Sequence, residues 1–218
     1  MNFLKKKKSN QNYQEKLDEL INLMKGTGFL TNKKVEKIIR QTPRHDFVPF
    51  DLQYRAYENG PLPIMNGQTI SQPSVVARMT EWLDVQEGQK ILEVGSGSGW
   101  QCAILSKLVG EGQVFTVERH SNLANFAKEN LEKSGIKNVQ IINADGRLGL
   151  PNESPFDRII ITAACKEVPK TLLVQLSPGG LLIAPVGQDI QSLILLKKTS
   201  KGAVEIKNQK GYVFVPLV

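Results

Sequence analysis

At 218 residues and 40% apolar composition, the chain can bury a substantial core, and its length suits one α/β domain with a helical preface, not two independent domains. The formal net charge of +7 suggests a polyanion partner, but Lys5, Lys6, Lys7 and Lys8 carry four of those charges and leave an ordinary remainder of about +3, so no nucleic-acid partner is expected. Cys102 and Cys165 lie far apart and outside any CxxC pair, and His45 and His120 are the only histidines, which argues against a disulfide framework, a zinc site or a histidine-rich metal centre.

Residues 1–12 read as a basic, disordered tail. The lysine run passes into SNQNYQEKLDEL without the apolar stretch of a signal peptide, and no segment approaches the roughly 18 to 20 apolar residues of a membrane span, so a cytoplasmic protein without a membrane partner is expected. Leu17, Leu20, Ile21 and Met24 then recur at helical spacing, predicting an amphipathic helix that ends near Gly26. A second short helix fits residues 32–41, with Val35, Ile38 and Ile39 on one face and Pro43 close behind. Pro49, Pro61, Pro63, Gly60 and Gly67 punctuate residues 44–67 as irregular surface chain. Residues 13–67 thus form a preface with a substrate-side loop, and residues 68–218 the core of the same domain.

In SQPSVVARM, Pro73 suits a first helical turn, and Val75, Val76, Met79, Trp82 and Leu83 follow at helical intervals. From position 90, short Ile- and Val-rich runs alternate with helical stretches, the pattern of a parallel sheet wound by helices. The predicted strands are residues 90–94, 113–118, 139–143, 157–162 and 180–185. Helices fit residues 99–109, 121–134 and 170–176. SLILLKKT and GAVEIKNQKGYVFVPLV then follow with no helix between them, which predicts an antiparallel finish.

The stretch ILEVGSGSGW pairs a buried strand with a turn through Gly95, Ser96, Gly97 and Gly99, and then a helix. Glycines let the backbone approach a ligand, and the helix N-terminus offers unpaired N–H groups. The G-x-G-x-G spacing differs from that of a dinucleotide binder, and Glu93 stands two residues ahead, so a ligand without a pyrophosphate is favoured. Glu118 ends the next strand where a carboxylate can accept both hydroxyls of a ribose, with Arg119 beside it. Asp145 and Gly146 follow the third strand at the same sheet edge, where the acid could reach an adenine amino group. Each acid alone could equally solvate a strand end; three of them around one loop point to a ligand site.

This constellation resembles the class I S-adenosylmethionine-dependent methyltransferases. A sulfonium carries positive charge where a dinucleotide carries phosphates, so acids near the loop suit it. The segments PLPIMNGQTISQPSVVARMTEWL, ILEVGSGSGWQCAILSKLVG, NVQIINADG, PFDRIIITAA, VPKTLLVQLSPGGLLIAPVG and the closing VFVPL are, in that order, similar to the protein-L-isoaspartate O-methyltransferases. The likeness spans about four-fifths of the chain. GQTIS and FVPL are its most specific parts.

The resemblance implies a doubly wound, mostly parallel seven-stranded Rossmann-like sheet with helices on both faces. It also implies methyl transfer from S-adenosylmethionine to the free carboxylate of L-isoaspartyl residues in damaged proteins, the ester then closing to a succinimide. It places Ser71 in the acceptor pocket, beside Thr69, Ile70 and Val215. The acceptor carboxylate is already ionised at neutral pH, so no general base is required. A neutral Ser71 hydroxyl could orient it without a tight ion pair, although Ser71 could instead cap the helix that starts at Pro73. Ala144, Trp100, Cys165 and Lys166 depart from the usual family residues. A monomer is expected. The alternatives are a methyltransferase acting on RNA or a small molecule, and a noncatalytic binding protein that keeps the fold.

Overall fold

The computed structural model describes residues 3–218, with side chains from residue 12 onward. Helix α1 (Phe3–Gly26) presents Leu17, Leu20, Ile21 and Met24 to the core, each 5% exposed or less. It is helical from Phe3, so the segment expected to be a disordered tail up to residue 12 instead continues the helix. No Gly or Pro interrupts residues 3–25, and lysine is a good helix former, so nothing local stops it. In α2 (Lys33–Arg40) the Asn32 side chain accepts from the N–H groups of Lys34 and Val35, and Val35, Ile38 and Ile39 are buried.

Three short 3-10 turns follow, and a two-stranded ribbon pairs β1 (Leu62–Pro63) with β2 (Thr69–Ile70). The ribbon delivers the chain to α3 (Pro73–Leu83).

The remaining elements are β3 (Lys90–Val94), α4 (Trp100–Val109), β4 (Gln113–Glu118), α5 (Ser121–Lys133), β5 (Val139–Asn143), β6 (Phe156–Ile161), α6 (Lys170–Gln175), β7 (Leu176–Val186), β8 (Gln191–Thr199) and β9 (Gly202–Tyr212). They build a seven-stranded sheet in the order β5-β4-β3-β6-β7-β8-β9, in which β8 pairs antiparallel with both β7 and β9 and the other neighbours pair parallel. Strand alternation sends Ile91, Val114 and Ile160 to the face packed by the preface and α3, α4 and α5; Leu92, Phe115 and Ile159 face the side carrying α6. Helices therefore cover both faces, as expected. The carboxyl ends of β3, β4 and β6 open beside the β1–β2 ribbon, the place where ligands bind open α/β sheets.

Candidate active site

The turn after β3 is held open by its glycines. Gly95 (φ +98°), Gly97 (φ +51°) and Gly99 (φ +87°) all adopt conformations that disfavour a side chain. At Gly95 a Cβ would lie 2.3 Å from Thr162 Oγ1, so the cradle itself depends on the missing side chain. The Gly95 N–H donates to Val117 O at 2.8 Å, and the Thr162 hydroxyl lies within bonding distance of Val94 O and Gly95 O.

Glu118 clamps this turn from β4. One carboxylate oxygen accepts the Gly97 N–H at 3.0 Å and the other accepts the His120 N–H at 3.0 Å. Its side chain lines a cleft enclosing about 920 Å³ of space, part of it open to solvent. Gly95, Ser96, Gly97, Arg119, Gly146, Thr69, Ile70, Ser71 and Val215 line the same cleft, which brings together most of the residues the sequence singles out.

Three of them sit elsewhere. Glu93 is fully buried two residues inside β3, where strand alternation turns it toward α4 and away from the cleft. Its Oε2 lies 2.5 Å from Thr116 Oγ1, which in turn lies 2.7 Å from Ser96 Oγ; its Oε1 has no partner. Burial pushes its carboxyl up to about 8, against the smaller opposing effect of the Thr116 hydrogen bond. Asp145 is outside the cleft lining because its carboxylate caps the next turn through the Arg147 N–H at 2.9 Å and pairs with the Arg147 guanidinium at 2.6 Å. Those bonds hold it below the usual carboxylate range. Gly99 begins α4, and its missing Cβ admits Ala127 of α5, whose carbonyl would stand 3.2 Å away.

Other lining residues escaped the sequence reading. His120 follows the clamp, Thr162 ends β6, and Met79 and Gln101 reach in from helices whose periodicity reads them only as core. The C-terminal strap closes the cleft: Ala164 N–H donates to Val215 O and Leu217 N–H to Ala164 O, both at 2.7 Å. That pairing gives the closing VFVPL a structural reason. A second cleft, bounded by Phe29, Pro61, Val75 and Tyr212, shares Thr69, Ser71, Thr162 and Val215 with the first.

Ser71 therefore stands where the two clefts meet. It is not the helix cap: Gln72 holds that position, makes no side-chain cap bond, and leaves Pro73 to start α3. Ser71 lines both clefts, and its carbonyl accepts from Arg44 Nη2 at 3.0 Å. Among the described residues no group of three or more His, Cys, Asp or Glu side chains could hold a metal ion.

A mostly parallel seven-stranded sheet with a glycine turn at the end of its central strand and an acid at the end of the next defines a class I, S-adenosylmethionine-dependent methyltransferase. Residues 15–218 match the sequence profile of the family described as Protein-L-isoaspartate(D-aspartate) O-methyltransferase, and the chain belongs to that family. It is 45% identical to the protein-L-isoaspartate O-methyltransferase of Methanosarcina mazei over 98% of this chain and 88% of that one. It is 46% identical to that of Methanopyrus kandleri over 92% of this chain and 90% of that one. A solved protein-L-isoaspartate O-methyltransferase, 31% identical, superposes with a TM-score of 0.81 over 92% of this chain and 65% of that one. A Plasmodium falciparum structure, described as a candidate member of the same family in complex with S-adenosyl-L-homocysteine, is 25% identical and superposes with a TM-score of 0.82 over 92% of this chain and 97% of that one.

Proposed function

We propose that the chain methylates the free carboxylate of L-isoaspartyl residues in damaged proteins and peptides, with the cofactor in the first cleft and the acceptor in the second. The observation that carries this reading is Ser71, one of the four residues shared by the walls of both clefts, with its main chain fixed by Arg44. The first cleft fits S-adenosylmethionine on its own features: a glycine turn on its wall, closely packed because Gly95 has no Cβ beside Thr162, and the Glu118 carboxylate next to it. When bound, that cofactor supplies an electrophilic methyl group on a positively charged sulfur.

The chain's residues bind and orient. Glu118 favours a cation on the cofactor side and fixes the glycine turn through two N–H groups. Ser71 donates a hydrogen bond to the acceptor carboxylate, which is ionised at neutral pH and needs no base to become a nucleophile. Thr69, Ile70 and Val215 border the junction, and the strap at Ala164 and Leu217 shields it from water. Holding the reacting groups in line in such a site can be worth about 7 to 11 kcal/mol. The methyl ester product closes through the following peptide nitrogen to a succinimide, which reopens in part to normal aspartate, so the methylation initiates repair.

A monomer acting in the cytoplasm on polypeptides, without nucleic-acid or membrane partners, belongs to this same reading. No helix among the described residues is long and apolar enough to cross a membrane. The test is methyl transfer from labelled S-adenosylmethionine to an isoaspartyl peptide beside its aspartyl twin. Methylation of the isoaspartyl form alone is expected; equal labelling of both, or of neither, would defeat the proposal.

A further inference from the structure

Arg44 is the largest fully buried side chain among the described residues, 1% exposed, and nothing in the cofactor chemistry uses it. Its guanidinium joins separate pieces of chain. Nη1 donates to Ala56 O at 2.7 Å, and Nη2 donates to Gly60 O and to Ser71 O, both at 3.0 Å. Its cation sits over the Trp100 ring at 5.5 Å, and the Trp100 indole N–H donates to Thr42 O at 2.9 Å. One side chain thus ties the loop ahead of the ribbon to Ser71 and to Trp100, a wall of the first cleft.

All of these partners are neutral. Among the described residues Arg44 takes part in no ion pair, and Glu58, the acid whose field reaches it, is engaged by Arg55 at 2.8 Å. Burial draws the guanidinium down to about 10, far enough above neutrality to keep it charged. An isolated buried charge is costly, and a neutral donor could have satisfied these carbonyls more cheaply. A cation is warranted if an anion is to be seated nearby, and the main chain of Ser71 is what it holds.

Resting on the proposed acceptor site, we infer that Arg44 is a positioning residue for the isoaspartyl carboxylate: its fork fixes the Ser71 main chain and places a positive charge without an ion-pair partner beside Ser71. It acts through Ser71 and does not touch the acceptor. The parental enzyme is first assayed on the isoaspartyl peptide and its aspartyl twin; failure there defeats the substrate reading itself. Arg44→Lys, which keeps the charge and loses the fork, is then expected to raise KM for the isoaspartyl peptide at least tenfold while the Kd for S-adenosylhomocysteine stays within about threefold. Arg44→Met, which loses both, is expected to fall further. A folded Arg44→Lys enzyme with parental KM would overturn the inference, because a merely structural arginine would cost stability alone. A second measurement needs no variant. In the parental protein with S-adenosylhomocysteine bound, the exchange-protected guanidinium NMR signals of Arg44 are expected to shift on titration with isoaspartyl peptide and not with the aspartyl twin. Identical spectra with both peptides would equally overturn it.

Discussion

Glu118→Gln isolates the charge of the clamp at nearly constant volume. The residue is 7% exposed, and each carboxylate oxygen accepts a main-chain N–H, one from Gly97 and one from His120. An amide can serve only one of these; its NH₂ must face the other donor. Losing one hydrogen bond of this charged type costs about 1.5 to 3 kcal/mol, and the strained donor pair opens onto the cofactor cleft, where water can relieve part of it. Stability should therefore fall by about 1 to 2 kcal/mol, or roughly 2 to 4 °C in Tm per kcal/mol for a domain of this size. The larger effect should appear in binding, because the same carboxylate lines the cleft. A loss of about 1.5 to 3 kcal/mol corresponds to an affinity for S-adenosylhomocysteine about 10- to 150-fold weaker. Calorimetric titration of the folded variant measures this directly. An unchanged Kd beside a lowered Tm would show that Glu118 clamps the loop and nothing more.

The remaining expectations can be checked with the same peptide and calorimetric assays. Ser71→Ala should change stability by no more than about 0.5 kcal/mol, since the hydroxyl caps nothing, yet lower kcat/KM for isoaspartyl peptide by about tenfold or more; a parental kcat/KM removes Ser71 from the acceptor site. Gly95→Ala combines a φ of +98° with a Cβ 2.3 Å from Thr162 Oγ1, so about 1 to 3 kcal/mol of stability and much of the cofactor affinity should be lost; normal melting and binding would contradict the cradle. Glu93 is held protonated in the fold, raised from 4.5 to about 8, so its stabilising contribution is complete below about pH 4.5 and is lost as pH rises toward 8. Urea denaturation of Glu93→Gln against the parent should show the variant gaining relative stability across that window, and parallel pH curves would speak against it. Single-turnover methylation should be nearly flat from about pH 6 to 7.5, above the acceptor's reference pKa of about 4; a tenfold rise per unit would contradict a mechanism without a general base.

The first parallel strands were legible because short Ile- and Val-rich runs, each broken by one or two polar residues, alternate with helical stretches. The bounds of β3, β4 and β5 agree with those read from the sequence. β6 ends one residue earlier than expected because the Thr162 hydroxyl turns back to the carbonyls of the glycine loop. β7 starts earlier, at Leu176, which pairs with Phe156 before the register shifts. In the site, glycines and the acid at a strand end announce turn chemistry: Gly95 and Gly97 take positive φ, and Glu118 accepts the Gly97 N–H. Sequence distance from a turn does not give side-chain direction, so Glu93 and Asp145 were assigned to a cleft that neither lines. Val215 came from family likeness, since only the pairing of the strap with Ala164 brings it there. Arg44 lies in TPRHDFVP, where the family likeness begins, but an arginine in a proline-punctuated stretch reads as surface and gives no hint of its burial.

The charges around the two clefts follow one logic. Glu118 stands on the wall of the first, where a sulfonium would be favoured, and Arg44 stands behind the second, where a carboxylate would be. Each charge is buried enough for its field to act with less screening than at an exposed surface. Had the guanidinium opened directly onto the acceptor, a bidentate pair would have tied up the electron pair that must attack the methyl group. Interposing the Ser71 main chain leaves the field and removes the contact, so in the proposed site an acceptor would meet a neutral serine in place of the guanidinium. A neutral serine on the wall shared by both clefts, with its carbonyl held by a buried cation, is thus the arrangement expected of a site that must attract an anion without quenching it.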